Sequence, residues 1–217
     1  MGKAIKKHGI PRKQLWITTK IQVKDIRKGS DAMCKSILNS LEQLQTDYID
    51  LILLHGPTDD AESIIESWKI MEEIISGKVE RLKGKVRYIG VSNYDISHLK
   101  PLLKECKIKP YANQFEVSPY WIRDELINYC KQNDIIPVAH TSLIKGEKFN
   151  DEKLTKLCER EVISKSLILL AWALSRGLIV LPRSSNAIHI RDNIKCLDID
   201  LRISGLSEVI NSQYYII

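Results

Sequence analysis

The alternation of short β-rich runs with amphipathic helices along the whole chain is the feature that most restricts its fold. Tyr48 to Leu54 is an apolar run too short and too β-branched for a helix, which predicts a buried strand. The segment that follows Thr58 has apolar residues at helical spacing and stops at Gly77, which predicts a helix. Strands that are apolar throughout and alternate with helices are typical of a parallel sheet covered by helices.

The same reasoning, applied to the rest of the sequence, predicts six strands. They are Leu15–Thr19, Tyr48–Leu54, Arg87–Val91, Tyr111–Gln114, Ile135–Ala139 and Leu178–Leu181. The predicted helices are Gly2–His8, one from Ser30, one from Thr58, Ile96–Cys106, Ile122–Lys131, Asp151–Glu161, Ser166–Ser175 and one after Asn186. A doubly wound nucleotide-binding fold needs a GxGxxG motif after its first strand, and the sequence has none. The alternative is a β/α barrel.

Polar residues of reactive or phosphate-binding types end or follow each predicted strand. These residues are Lys20, His55, Ser92-Asn93, Gln114, His140-Thr141-Ser142 and Arg183-Ser184-Ser185. A lone histidine at a strand end is more often structural than catalytic, but six polar strand ends together are harder to attribute to chance. A β/α barrel collects its chemistry at the carboxyl ends of its strands. The pattern therefore favours the barrel, with a ligand site at its mouth.

Charge and cysteine usage argue against several other classes of protein. The net charge is +6, but the basic residues are interleaved with acidic ones, which favours solvated helix faces over a nucleic-acid surface. No apolar run is long enough to span a bilayer and no signal peptide is recognisable, so we expect a cytoplasmic protein without a membrane partner. The five cysteines are widely spaced, which favours reduced thiols and predicts no metal site.

Over nearly its whole length the sequence resembles the aldo-keto reductase family. The similarity lies in Gly2-Lys3-Ala4-Ile5, Ile17-Thr18-Thr19-Lys20, Asp47-Tyr48-Ile49-Asp50-Leu51, Leu54-His55-Gly56-Pro57, Trp68-Lys69-Ile70-Met71-Glu72-Glu73, Ile89-Gly90-Val91-Ser92-Asn93, Asn113-Gln114-Phe115-Glu116, Pro182-Arg183-Ser184-Ser185-Asn186 and Ile190-Arg191-Asp192-Asn193. The resemblance implies a (β/α)8 barrel of the TIM type. It also implies NADP(H) bound without a Rossmann motif, and reduction of aldehydes or ketones to alcohols.

The resemblance also implies roles for individual residues. Lys20 is similar to the family's catalytic lysine, whose positive charge lowers the pKa of a proton-donating tyrosine. His55 is similar to the histidine that orients the substrate carbonyl. Ser92, Asn93 and Gln114 match residues that hydrogen-bond the nicotinamide carboxamide.

The remaining matches would hold other parts of the cofactor. His140 stands where the family has a tyrosine stacked on the nicotinamide, and Thr141, Ser142 and Leu143 follow it at the same strand end. Arg183 and Ser184 resemble the residues that grip the 2′-phosphate, where His189 replaces an arginine. Asp192 and Asn193 match residues that contact the adenine. A plain helix N-cap is the alternative interpretation of Ser184-Ser185-Asn186.

Two expected residues have no counterpart in the sequence: the proton-donating tyrosine and the aspartate that pairs with the lysine. We therefore predict one partial barrel domain, residues 1–217, without the first two strands and the C-terminal loop. Gly56, in place of a bulky aromatic residue, is a further departure, which would widen or flatten the substrate pocket. Loss of the donor would impair catalysis.

Three functional hypotheses remain open at this stage. The first is an NADPH-dependent carbonyl reductase with a small-molecule substrate. The second is a non-catalytic NADP-binding or partner-binding protein on the same scaffold, and the third is an inactive fragment. The sequence predicts neither the identity of the substrate nor the oligomeric state.

Overall fold

The computed structural model describes residues 1–200. The chain separates into two compact units, residues 1–113 and residues from 114 onward, called unit 1 and unit 2. The predicted single domain stays a prediction, and the predicted lack of a C-terminal loop concerns residues outside the described range. No helix within residues 1–200 combines the length and the apolar composition needed to cross a membrane.

Unit 1 alternates helices and strands in the predicted order. Its helices are α1 (Gly2–His8), α2 (Val23–Ile26), α3 (Ser30–Leu44), α4 (Ala61–Ile75) and α5 (Ile96–Glu105). Its strands are β1 (Thr18–Ile21), β2 (Ile49–Leu54), β3 (Val86–Ser92) and the start of β4 (Ala112–Glu116). Short 3-10 turns lie at Arg12–Gln14 and Glu80–Leu82.

Local chemistry explains where the main helices of unit 1 begin and end. α1 stops at Gly9, which adopts the left-handed conformation with φ of 62° that favours glycine. α4 begins with a capping box in which the Asp60 side chain accepts from the backbone N–H of Ser63 at 2.8 Å. The buried side of α4 carries Trp68 and Met71, as its apolar spacing predicts.

The strands of unit 1 are parallel neighbours in sequence order. β1 pairs with β2 and β2 pairs with β3, and every residue of β2 is buried. Next to β3 runs the start of β4, and the two approach closely at Gly90. A Cβ atom at Gly90 would lie 2.6 Å from the backbone oxygen of Ala112 and 2.7 Å from Cδ2 of Leu53. Only glycine therefore fits there without a shift of the backbone.

The buried carboxylate of Asp50 holds the residues that precede β1 in place. Asp50 is 2% exposed, and its Oδ2 accepts from Arg12 Nη2 at 2.6 Å and from the backbone N–H of Ile17 at 2.9 Å. Asp50 Oδ1 accepts a longer bond, 3.3 Å, from Arg87. The guanidinium carbons of Arg12 and Arg87 lie 3.9 and 3.8 Å from the ring centre of Tyr48. These contacts hold the segment before β1 against the start of β2.

Three aromatic rings form a cluster near the amino ends of the unit 1 strands. The ring centres of Trp16 and Tyr88 are 5.4 Å apart and stacked, and those of Tyr88 and Tyr111 are 4.3 Å apart. Trp16 also stacks on Tyr111 at 5.8 Å. Such offset arrangements are favourable for aromatic pairs.

Unit 2 continues the same alternation. Its helices are α6 (Asp124–Gln132), α7 (Glu152–Glu161), α8 (Lys165–Ser175) and α9 (Ala187–Asn193), with 3-10 turns at Ile144–Gly146 and Ile194–Asp198. Its strands are the end of β4, then β5 (Ile136–His140) and β6 (Ile179–Val180). β5 and β6 are parallel. α8 is apolar on most sides and carries the buried Trp172.

The structure confirms an α/β fold whose six strands follow one another in the predicted order. It differs at β1, which begins at Thr18 instead of Leu15. The backbone oxygen of Leu15 accepts from Arg12, and the N–H of Ile17 donates to Asp50, so side chains satisfy these groups instead of a neighbouring strand. The short helix α2 was not predicted.

Candidate active site

Lys20 lies in β1 and is half-buried. Its Nζ donates a hydrogen bond of 3.4 Å to Oγ of Ser92, the fully buried last residue of β3. Burial lowers the pKa of the Lys20 ammonium, because removing water disfavours the charged form. A cation therefore stands near the carboxyl end of β3.

His55 follows β2 directly. Its backbone N–H donates to the oxygen of Ile21 at 3.0 Å, which extends the pairing of β1 with β2 by one rung. Its pKa is lowered from the usual 6.5, first by burial and second by the positive charge of Lys20. The imidazole is therefore mainly neutral at pH 7. Its Nδ1 atom is buried and has no hydrogen-bond partner among residues 1–200.

Ser92 and Asn93 join these two groups. Asn93 Nδ2 donates to the backbone oxygen of His55 at 2.9 Å and to Ser92 Oγ at 3.3 Å. Asn93 adopts φ of 60°, in the left-handed region that non-glycine residues rarely occupy. In unit 1 the structure thus brings together four predicted residues, Lys20, His55, Ser92 and Asn93, which we call the lysine–histidine cluster.

A residue that the sequence did not identify as part of the site supports this turn. Asn113 is fully buried, and its Nδ2 donates to the backbone oxygen of Tyr94 at 2.8 Å. Its Oδ1 accepts from the backbone N–H of Tyr94 at 3.4 Å. The available signal was an amide residue inside a predicted strand, because a buried amide needs hydrogen-bond partners.

Unit 1 also shows what does not contact the lysine. Within its described residues no tyrosine hydroxyl is hydrogen-bonded to Lys20, whose side-chain bond is made to Ser92. The predicted lack of the family's proton donor and its catalytic consequence both stay predictions.

In unit 2, four predicted residues lie at the end of β5. The ring Nδ1 of His140 is 2.8 Å from Oγ1 of Thr141, and Thr141 has φ of 60°. Ser142 is 5% exposed, and its Oγ has no hydrogen-bond partner among the described residues. Leu143 is half-buried beside it. An unpartnered buried hydroxyl costs free energy, which suits a position that a ligand would complete. Gln114 is also buried in this unit, on β4.

The predicted phosphate and adenine residues lie around α9. Arg183 is exposed and pairs with no carboxylate in the described part of the chain, and His189 is exposed as well. Ser184 Oγ accepts from the backbone N–H of Asn186 at 3.0 Å. The N-cap of α9 is Asn186, whose side chain accepts from Ile188.

The two residues predicted to contact the adenine lie at the carboxyl end of α9. Asp192 forms an ion pair with Lys195 at 2.6 Å, and this hydrogen bond lowers the pKa of Asp192. Asn193 is buried. Within residues 1–200, no three His, Cys, Asp or Glu side chains group together in a way that could hold a metal ion.

Two concave regions are lined by residues other than those of the lysine–histidine cluster. A depression of about 550 Å³ between α2 and α3 is polar and contains none of the predicted site residues. A cavity of about 170 Å³ in unit 2 is lined by Thr141, Tyr120 and Trp121, among others. Of these two regions, the smaller is the one that borders a predicted residue.

Comparison with known proteins gives a consistent result. Residues 1–210 match the family model described as "Aldo/keto reductase family". The glyoxal reductase of Bacillus subtilis is 34% identical over 209 residues, which are 96% of this chain and 72% of that protein. The methylglyoxal reductase DkgB of Escherichia coli is 31% identical over 202 residues, 93% of this chain and 73% of that protein.

Solved structures agree with these sequence relatives. An aldo/keto reductase from Brucella melitensis gives a TM-score of 0.85 at 32% identity, over 96% of this chain and 77% of that chain. An aldo-keto reductase from Bombyx mori, solved in complex with NADP, gives a TM-score of 0.81 at 28% identity, over 96% of this chain and 71% of that chain.

Proposed function

The chain belongs to the aldo/keto reductase family, and from this premise we propose that it binds NADP(H) and reduces small aldehydes or ketones to alcohols. The observation that carries the proposal is the lysine–histidine cluster at the ends of β1, β2 and β3. Names of relatives that mention glyoxal and methylglyoxal make small dicarbonyl compounds the first substrates to test.

Polar groups of this chain suit the cofactor. Within the part of the chain that the structure describes, Ser142 offers a buried hydroxyl without a hydrogen-bond partner, and Arg183 offers an exposed guanidinium without a paired carboxylate. We assign Ser92, Asn93 and Gln114 to the nicotinamide carboxamide, and His140 to the ring face. Arg183, Ser184 and His189 would hold the 2′-phosphate, because a guanidinium matches phosphate geometry.

The assignment extends to the remaining predicted residues. Thr141, Ser142 and Leu143 would line the cofactor at the end of β5, and Asp192 and Asn193 would contact the adenine. Bound NADPH supplies the hydride, while the protein supplies position and charge.

His55 is the group that would orient the substrate carbonyl. Its lowered pKa keeps the imidazole neutral at pH 7, so one ring nitrogen carries a proton and the other does not. Because Nδ1 has no partner among residues 1–200, the tautomer with the proton on Nε2 avoids burying an unpaired N–H. Nε2–H then donates to the carbonyl oxygen.

Lys20 would stabilise the negative charge that develops on that oxygen. A cation in a partly buried site acts more strongly than one in water, because the local dielectric constant is lower. The product oxygen also needs a proton, and no tyrosine hydroxyl in the described part of unit 1 contacts Lys20. Since general acid catalysis contributes about a hundred- to ten-thousandfold, we expect slow turnover.

The test has two measurements on the purified full-length chain. Fluorescence titration with NADPH measures binding, and loss of absorbance at 340 nm with methylglyoxal measures reduction. We expect saturable binding and a slow carbonyl-dependent rate that falls at least about tenfold in Lys20→Met. Lys24→Met, an exposed lysine on α2, is the matched control and should leave both unchanged. Absence of saturable NADPH binding would refute the proposal.

The second candidate is a non-catalytic NADP(H)-binding protein. The lack of a tyrosine at Lys20 in unit 1 favours it. Saturable NADPH binding without any carbonyl-dependent oxidation of NADPH would support this candidate against the reductase.

A further inference from the structure

We infer that Asn113 is a positioning residue that holds the turn after β3 in the shape needed to bind the nicotinamide, an inference that rests on the proposed function. Its side-chain amide pairs with both the N–H and the C=O of Tyr94. The amide therefore substitutes for a strand partner at the position where β3 has ended. Asn113 is fully buried, so water cannot replace these bonds.

The turn needs this support because its backbone is unfavourable. β3 ends at Ser92, and the next residue, Asn93, already has φ of 60°. A Cβ atom disfavours that conformation, although less for asparagine than for most residues, and neighbouring contacts help to hold it. The bonds from Asn113 fix Tyr94, the residue that follows, and so limit the conformations open to Asn93.

Two contacts of the lysine–histidine cluster depend on that conformation. Asn93 Nδ2 reaches the backbone oxygen of His55 and the hydroxyl of Ser92, which in turn accepts from Lys20. If the turn relaxes to an ordinary extended backbone, the Asn93 amide moves away from both acceptors. Loss of the Asn113 amide should therefore reduce cofactor binding without removing any group that contacts the cofactor.

The experiment compares Asn113→Ala with Ser67→Ala in the full-length chain. Ser67 is also buried, lies on α4, and donates to the backbone oxygen of Ile64 at 2.9 Å. Its hydroxyl also interacts with the Tyr94 side chain, so its loss removes buried polar contacts beside the turn without touching the backbone of Tyr94. Hydrogen exchange of residues 92–95 is measured in the free protein, and NADPH affinity by fluorescence titration.

We expect Asn113→Ala to speed exchange at 92–95 and to raise the Kd for NADPH roughly tenfold, as if the competent turn were populated about one-tenth of the time. Ser67→Ala should do neither. Asn113→Asp provides a second variant, because a protonated carboxyl can still donate and accept as the amide does, whereas the ionised form cannot donate. Its NADPH affinity should fall with rising pH relative to that of the wild type.

Separate outcomes overturn the inference and the proposed function. Unchanged exchange at 92–95 in Asn113→Ala overturns the positioning role, whether or not the cofactor binds. An equal rise of Kd in Ser67→Ala also overturns it, since the effect would then reflect general stability. No saturable NADPH binding by the wild type overturns the proposed function, while the exchange measurement still reports on the turn.

Discussion

Replacement of Asp50 by alanine should destabilise unit 1 more than any change to an exposed ion pair. Asp50 receives a 2.6 Å bond from Arg12 and a 2.9 Å bond from the backbone N–H of Ile17, and it is almost fully buried. Its removal leaves a partly buried guanidinium and a backbone N–H without their acceptor. The damage falls on the segment that leads into β1, the strand that carries Lys20.

The magnitude follows from these contacts. Breaking a buried ion pair by removing one partner costs about 3–5 kcal/mol. The Arg12 side chain is 19% exposed and keeps three other acceptors, the backbone oxygens of Leu15 and Tyr48 and the hydroxyl of Thr46. We therefore expect the lower end, about 3 kcal/mol of the free energy of unfolding. The bond from Arg87, 3.3 Å long and from a half-exposed side chain, adds little.

Equilibrium unfolding in urea, followed by far-ultraviolet circular dichroism, measures this loss. Asp31→Ala is the matched control, because Asp31 also pairs with an arginine, Arg81 at 2.7 Å, but its side chain is 97% exposed. The control should unfold like the wild type, since exposed pairs contribute little. A loss of less than about 1 kcal/mol in Asp50→Ala, or an equal loss in the control, would show that burial does not decide the strength of this pair.

Three further predictions use other parts of the structure. An NMR titration of the imidazole protons should give His55 a pKa below 6.5, and Lys20→Met should raise that pKa only in part, because burial, the larger cause, remains. The native state then binds fewer protons than the unfolded chain, so acidification below pH 6.5 should favour unfolding. A His55 pKa that does not change in Lys20→Met would contradict the role of the lysine charge. Arg183→Ala should raise the Kd for NADPH about tenfold and leave the Kd for NADH unchanged, because it removes a charge-assisted bond to the 2′-phosphate. An equal rise of both Kd values would show that Arg183 does not bind the 2′-phosphate. Gly90→Ala should lower the free energy of unfolding by about 1–3 kcal/mol, because its Cβ would overlap the neighbouring strand. Gly56→Ala is the control and should cost less in the same urea experiment, because its Cβ would meet only a flexible valine methyl at 3.3 Å.

Most of the secondary structure could be predicted because its signals are local. α4 carries its start signal, its apolar spacing and its stop within one stretch of sequence, and β2 is apolar throughout. The start of β1 could not be predicted this way. The backbone oxygen of Leu15 and the N–H of Ile17 bond to the side chains of Arg12 and Asp50 instead of to a neighbouring strand. The pairing of that aspartate with its arginine is a long-range contact.

The candidate site could likewise be predicted only in part. Strand-end polarity identified Lys20, His55 and Ser92, since the carboxyl ends of parallel strands meet at one edge of a sheet. The support given by Asn113 was not predicted, because its partners are backbone atoms of Tyr94 and sequence does not reveal which backbone groups lack a strand partner. The left-handed backbone of Asn93 was missed for a related reason, since that conformation is imposed by contacts distant in sequence.

The stacked rings of Trp16, Tyr88 and Tyr111 should give unit 1 a spectroscopic signal that reports on its packing. Aromatic chromophores held at these distances in a fixed chiral arrangement couple electronically and produce strong near-ultraviolet circular dichroism. All three rings belong to unit 1, and they are carried by β3 and by the residues that lead into β1 and β4. The signal should vanish when packing there is lost, even while helices persist. Loss of native order in this part of the molecule can therefore be followed without any attached dye.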